Sequence, residues 1–154
     1  AHQIVRHRSF AFQEFSQRYA EPSAMGEAFT IRECRLQDTT NRQNSIEIED
    51  DPNIQMDQKT VDLITDWQRR QHGVIKQARQ AYDWAIANGI AKEQARAVLP
   101  EGLTKTRLYM NGTLRSWVHY IELRSANGTQ KEHMEVAQKC AIEIAKIFPL
   151  MKKL

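Results

Sequence analysis

Apolar positions recur at helical spacing in several stretches of the chain, and turn residues separate those stretches. Val61, Ile64, Trp67, Ile75, Ala78, Tyr82 and Ala85 or Ile86 fall on one broad stripe, which predicts a helix over 57–87. Gly73 weakens its middle, and Asn88-Gly89 supplies a C-terminal stop. A short helix over 91–98 follows, ended by Pro100. Leu114, Trp117, Val118 and Ile121 predict an amphipathic helix closing near Arg124. Met134, Ala137, Ala141, Ile144 and Phe148 make the buried stripe of a last helix. Thr129-Gln130-Lys131-Glu132 reads as its capping box, and Pro149 as its close. Phe29 and Ile31 alternate with Thr30 and Arg32, predicting a strand within 28–36. Residues 104–110 predict another, with Asn111-Gly112 as a tight turn. Residues 1–8 read as a helix end, 9–19 as irregular or extended chain, and Glu21-Pro22-Ser23 as a turn. From Gln37 to Asp57 the chain is polar, with Thr39-Thr40-Asn41 and an acidic run from Glu47 to Asp51, and predicts an exposed loop or lobe. The fold class expected is α+β: a mostly helical single domain over 1–154 with a small β-sheet.

Composition narrows this picture only a little. A chain of 154 residues that is 41% hydrophobic and 27% charged is ordinary for one globular domain. The net charge of +3 comes from 22 basic residues without a long block, largely offset by 19 acidic ones, so nucleic acid is not indicated. No run of 18 apolar residues predicts a membrane helix, and no signal-peptide core stands near the start. Cys34 and Cys140 lie far apart without CxxC companions. A metal or redox site is therefore not expected, and buried free thiols in a reducing cytoplasm are.

The densest chemistry lies at the start. Gln3, Arg6 and His7 share one face if helical, while Glu14, Ser16 and Arg18 share one side if extended, with Phe15, Gln17 and Tyr19 on the other. Within 20 residues one surface can thus gather Arg6, Arg8 and Arg18 with an imidazole, a carboxamide, a carboxylate and a hydroxyl. Such a set suits a planar, phosphorylated ligand, because guanidinium forks take phosphate bidentately and amides pair with a base edge. Arg-His-Arg alone reads more readily as solvated surface. Ser16 has no histidine–acid pair at activating spacing, so it reads as a positioning hydroxyl and not as a nucleophile.

Arg6-His7-Arg8, then Ser16 and Arg18-Tyr19, with Gln3 ahead, resembles the signature of the flavin-dependent thymidylate synthases. Further boxes extend the resemblance to about Phe148: Arg35-Leu36-Gln37 with Asn41 to Ser45, Ala95-Arg96-Ala97-Val98-Leu99-Pro100, Leu114 to Arg124, and Thr129 to Glu132. Thr113 stands where the family has asparagine, and Tyr120 where its pattern has phenylalanine. The resemblance implies methylation of dUMP to dTMP, with methylenetetrahydrofolate as carbon donor and FAD relaying reducing equivalents from NADPH. It also implies a homotetramer whose active sites are shared between subunits. Carried over residue by residue, it gives Gln3, Arg6, Glu14, Ser16, Arg18, Arg96 and Arg124 to dUMP. Arg6, His7, Arg8, Glu14, Arg115 and His119 go to the flavin. Arg124 is the implied catalytic residue, favouring ionisation of uracil N3; its plain alternative is a helix C-terminal cation complementing the dipole.

Family members carry a sizeable segment before Gln3, so an N-terminally truncated member is expected, with an inactive or partial fragment as the alternative. A nucleic-acid-binding module is the remaining alternative. It predicts steeply salt-dependent binding, but the chain lacks zinc-finger spacing and the RNA-recognition aromatic signatures.

Overall fold

A computed structural model describes residues 1–18, 27–48, 53–54, 56–126 and 128–149. Tyr19, the turn at Glu21-Pro22-Ser23, most of the acidic run before Pro52, and Asn127 lie outside the described residues. The chain divides into two compact units: Ala1–Gln13, Gln37–Ile46 and Leu108–Leu154 form one, Glu14–Leu36 and Glu47–Arg107 the other. In chain order the elements are a 3-10 turn at Ile4–Arg6, β1 (Ala11–Glu14), β2 (Arg35–Gln37), β3 (Ser45–Glu47), α1 (Gln58–Ala87) and α2 (Lys92–Ala95). A second 3-10 turn at Arg96–Val98, β4 (Leu108–Asn111), α3 (Leu114–Arg124) and α4 (Lys131–Ile147) complete them. The class is α+β and mostly helical, as expected, with two antiparallel two-stranded ribbons, β1–β4 and β2–β3, in place of one sheet.

In the first unit, α3 and α4 pack together around Tyr120, Ile121, Ala137 and Ala145, with Phe10 completing the core. Tyr120 is the hub: its ring meets Trp117 at 5.8 Å and Phe10 at 6.0 Å, both edge-on. Gly112 makes room for Phe10, since a Cβ there would stand 2.5 Å from the Phe10 ring. Asn111-Gly112 is therefore a close approach and not a hairpin turn: Asn111 ends β4, and Thr113 caps α3 by accepting from the Ser116 N–H at 3.3 Å. The anticipated capping box does not form. Gln130 is the N-cap of α4 and makes no side-chain cap hydrogen bond, because its amide turns elsewhere. Within the polar stretch after Gln37, Asp38 accepts from the Thr40 and Asn41 N–H groups and from Asn44 Nδ2, fixing a turn. Those bonds, the Asn41 N–H first, hold the Asp38 carboxyl far below the usual carboxylate range.

In the second unit, α1 starts at the Asp57 N-cap, whose side chain accepts from the Thr60 N–H at 2.8 Å. It ends in a Schellman arrangement: Gly89 at φ 75° lets its own N–H reach the Ile86 carbonyl and the Ile90 N–H reach the Ala85 carbonyl. The predicted stripe is buried only in its second half. Ala78, Tyr82 and Ala85 are buried, whereas Val61 and Trp67 remain about 40% exposed. Tyr82 and Ala85 pack with Ala95 of α2, supported by Ile86 and Leu99. The strand expected within 28–36 is reduced to an antiparallel bridge between Phe29 and Thr104, and only Arg35 and Leu36 of that stretch enter β2. Gln71 takes over beside the bridge. Buried in the α1 face, it accepts from the Arg32 N–H at 2.8 Å and donates to the Arg32 carbonyl at 2.9 Å.

Candidate active site

The 3-10 turn at Ile4–Arg6 carries His7 onto the end of α3, inside the first unit. Arg124, the last residue of α3, donates from Nε to His7 Nε2 at 2.9 Å. A guanidinium has no acceptor, so this nitrogen of His7 carries the lone pair and the neutral ring holds its proton on Nδ1. Burial lowers the His7 pKa, and the charges of Arg124 and His119 lower it further. The ring also stands edge-on to Tyr120 at 4.9 Å. Arg124 is half-buried and has no carboxylate partner among the described residues. With Nε turned onto His7, its terminal N–H groups meet no acceptor among the described residues.

Gln3 is held at the same place by α4. Its Nε2 donates to Gln130 Oε1 at 2.9 Å, and its Oε1 lies 3.0 Å from His133 Nδ1. His133 is buried, its ring 5.6 Å from Tyr120 and 6.1 Å from His7. Its Nε2, like the Tyr120 hydroxyl, is buried without a hydrogen-bond partner among the described residues. Burial first, then Arg124 and His7, push the His133 pKa down to about 4. Sequence reasoning missed His133 and gave Gln130 only a capping role. The available signal was the i, i+4 spacing of His133 to Ala137, which puts a histidine on the buried stripe of α4.

Arg6, Arg8, Arg115 and His119 are exposed, and the three arginines lack carboxylate partners among the described residues. The first unit therefore brings Gln3, His7 and Arg124 into direct or one-residue contact and leaves three further guanidiniums open.

The second unit holds Glu14, Ser16, Arg18 and Arg96. Arg18 Nη2 reaches Glu93 Oε2 at 3.5 Å, an exposed pair of small energetic weight. Arg96, in the 3-10 turn after α2, donates from Nε to the Glu93 carbonyl at 3.3 Å. Arg18 and Arg96 thus meet at one residue. The alternation expected through Tyr19 stops at Glu14, where β1 ends. Glu14 Oε1 accepts from the Thr106 hydroxyl at 2.8 Å, and the Ser16 hydroxyl accepts from the Arg18 N–H at 3.4 Å. Among the described residues no histidine or acid is bonded to the Ser16 hydroxyl, which caps a turn instead. Cys34 and Cys140 are free and only partly buried. Among the described residues no helix is long and apolar enough to cross a membrane.

A family model described as thymidylate synthase complementing protein matches residues 1–150. The chain belongs to that family. It is 44% identical over 155 residues to a probable flavin-dependent thymidylate synthase of Paramecium bursaria Chlorella virus 1, covering 99% of this chain and 64% of that protein. It is 43% identical over 149 residues to a flavin-dependent thymidylate synthase of Synechocystis, covering 97% of this chain and 62% of the relative. The chain thus spans under two thirds of the length of these relatives. Among solved structures it resembles the UMP/dUMP methylase PolB of Streptomyces cacaoi. The form bound with 5-Br dUMP superposes with a TM-score of 0.71 at 24% identity, over 94% of this chain and 60% of that one. The form bound with 5-Br UMP gives the same TM-score at 26% identity.

Proposed function

We propose that the chain is a thymidylate synthase domain over 1–154 that methylates dUMP to dTMP, with FAD as cofactor and methylenetetrahydrofolate and NADPH as co-substrates. The observation that carries this reading is Arg124. Its Nε is tied to a neutral His7 at 2.9 Å, and it faces no carboxylate among the described residues. Family membership, the names of the relatives, and the brominated nucleotides in the solved methylases support the same substrate class.

In this reading Gln3, Arg6, Glu14, Ser16, Arg18, Arg96 and Arg124 bind dUMP. Arginines take the phosphate, while the carboxamide, carboxylate and hydroxyl take the pyrimidine and sugar edges. Arg6, Arg8 and Arg115, exposed and without carboxylate partners among the described residues, fit a cofactor that carries a pyrophosphate. With His7, Glu14 and His119 they would hold FAD. The flavin, when bound, supplies the reducing chemistry. The protein supplies charge and position: the Arg124 cation favours the ionised form of uracil N3, which enriches C5 for attack on the one-carbon unit. His7, held neutral, aims the guanidinium without adding a second positive charge beside it. Assembly is a homotetramer in the cytoplasm, with each site drawing residues from several subunits and no role for nucleic acid or a membrane.

The test is dTMP formation from dUMP with methylenetetrahydrofolate, NADPH and FAD, together with flavin absorbance that survives desalting. Arg124→Ala is expected to lower kcat by about 10²–10³-fold, the typical loss for one preorganised contact to developing charge. Ser16→Ala is expected to keep measurable turnover. An Arg124→Ala protein as fast as the parent overturns the assignment.

A further inference from the structure

The contacts around Gln3 fix which end of its carboxamide faces which neighbour. Glu132 Oε2 lies 2.8 Å from Gln130 Nε2, and a carboxylate only accepts. Gln130 must therefore turn its amide nitrogen to Glu132 and its oxygen to Gln3. Gln3 must then give its nitrogen to Gln130, at 2.9 Å, and its oxygen to His133 Nδ1, at 3.0 Å. His133 Nδ1 must carry the proton. The polarity of four side chains follows from one acid. A neutral imidazole with its proton on Nδ1 has its lone pair on Nε2, the atom that is buried without a partner among the described residues. The buried ring, pushed well below its ordinary pKa, is neutral at pH 7, which leaves Nδ1 holding its single proton.

We propose that Glu132, Gln130 and His133 are positioning residues that lock the Gln3 carboxamide in one of its two flips, so that its remaining N–H points outward as a donor. Gln3 is exposed, and no described residue takes that second proton. The lock aims the free Gln3 N–H at an acceptor atom, a carbonyl or phosphate oxygen. His133 and Gln130 touch no ligand in this scheme; they act through Gln3. Identifying the acceptor as a dUMP oxygen rests on the function proposed above, whereas the hydrogen-bond polarity does not.

Two measurements on the full chain separate those levels. Long-range ¹H–¹⁵N spectra at pH 7 without ligand, with the ring assigned from its loss in His133→Asn, are expected to show His133 neutral with the proton on Nδ1. A ring whose only proton sits on Nε2, leaving Nδ1 bare, overturns the lock whatever the protein binds. The second measurement is dUMP affinity by calorimetry. His133→Leu is expected to weaken dUMP about 3–10-fold, the cost of one lost neutral hydrogen bond. His133→Asn, which can place an amide N–H where Nδ1–H stood, is expected to restore most of that loss. Gln130→Leu, an exposed position where the fold is not at stake, is expected to weaken dUMP to a similar degree. Parental affinity in both leucine variants overturns the positioning role. A parent protein with the expected tautomer and no affinity for dUMP instead overturns the substrate assignment and leaves the polarity of Gln3 established.

Discussion

At the scale of single residues, the two histidines of the first unit set how the molecule responds to acid. Both have folded-state pKa values below the ordinary 6.5, His133 at about 4, with burial as the first cause. A base whose folded pKa is depressed binds more protons in the unfolded chain, so stability is lost as pH falls from 6.5 toward 4 and levels off below. His133 alone contributes at most about 3 kcal/mol to that limb. Denaturant midpoints at pH 7 and pH 4.5 should differ clearly in the parent, and His133→Asn should flatten the difference. The remaining slope belongs largely to His7. A midpoint independent of pH over that range would contradict the buried neutral imidazoles. Arg124 and His7 were both legible as chemistry in the sequence, but their mutual contact was not. It joins residues 117 apart, and no local pattern encodes a partner at that distance.

At the scale of elements, helices were legible and strands only in part: the 104–110 stretch yields β4 at Leu108–Asn111, whereas 28–36 does not form the strand it suggests. The period of apolar residues gave α1 within a residue of its bounds, because Asp57 and Gly89 are strong local signals that tertiary packing did not override. The 28–36 stretch alternates like a strand, yet it pairs only at the Phe29 bridge and at Arg35–Leu36 of β2, and between them a helix side chain secures it. Gln71 supplies what a neighbouring strand would have given. Gln71→Leu should therefore cost about 1–3 kcal/mol, since it strips a donor and an acceptor from the Arg32 backbone. The expected result is a melting temperature several degrees lower. An unchanged melt would mean that the 28–36 segment is held by other contacts. The capping-box motif at Thr129 misled for a different reason: Gln130 and Glu132 bond to each other, and the helix start moved inward.

At the scale of the whole molecule, the modest net charge hides a local imbalance. Acidic residues nearly offset the basic ones in number, but Arg6, Arg8, Arg115 and Arg124 have no carboxylate partner among the described residues. Composition could not show this, because pairing is a property of the folded chain. In the tetramer proposed above, guanidiniums brought to a subunit junction would repel one another until a phosphorylated ligand neutralised them. Saturating dUMP should therefore raise the melting temperature and shift the assembly toward the tetramer. A hundredfold excess over Kd is worth about 2.7 kcal/mol. Thermal melts paired with sedimentation, with and without dUMP, would check both, and the absence of any shift would count against nucleotide binding.

The centre of the first unit leaves one further mark, an evolutionary one. Tyr120 and His133 each strand a polar atom in the same aromatic nest, one a hydroxyl able to donate and the other a nitrogen with a lone pair. Phenylalanine at 120 would fill the same space and strand nothing. Neither atom bonds the other, so the two costs are independent. Losing either polar group relieves its own burden and leaves its neighbour's unchanged, and descent at one position does not constrain the other.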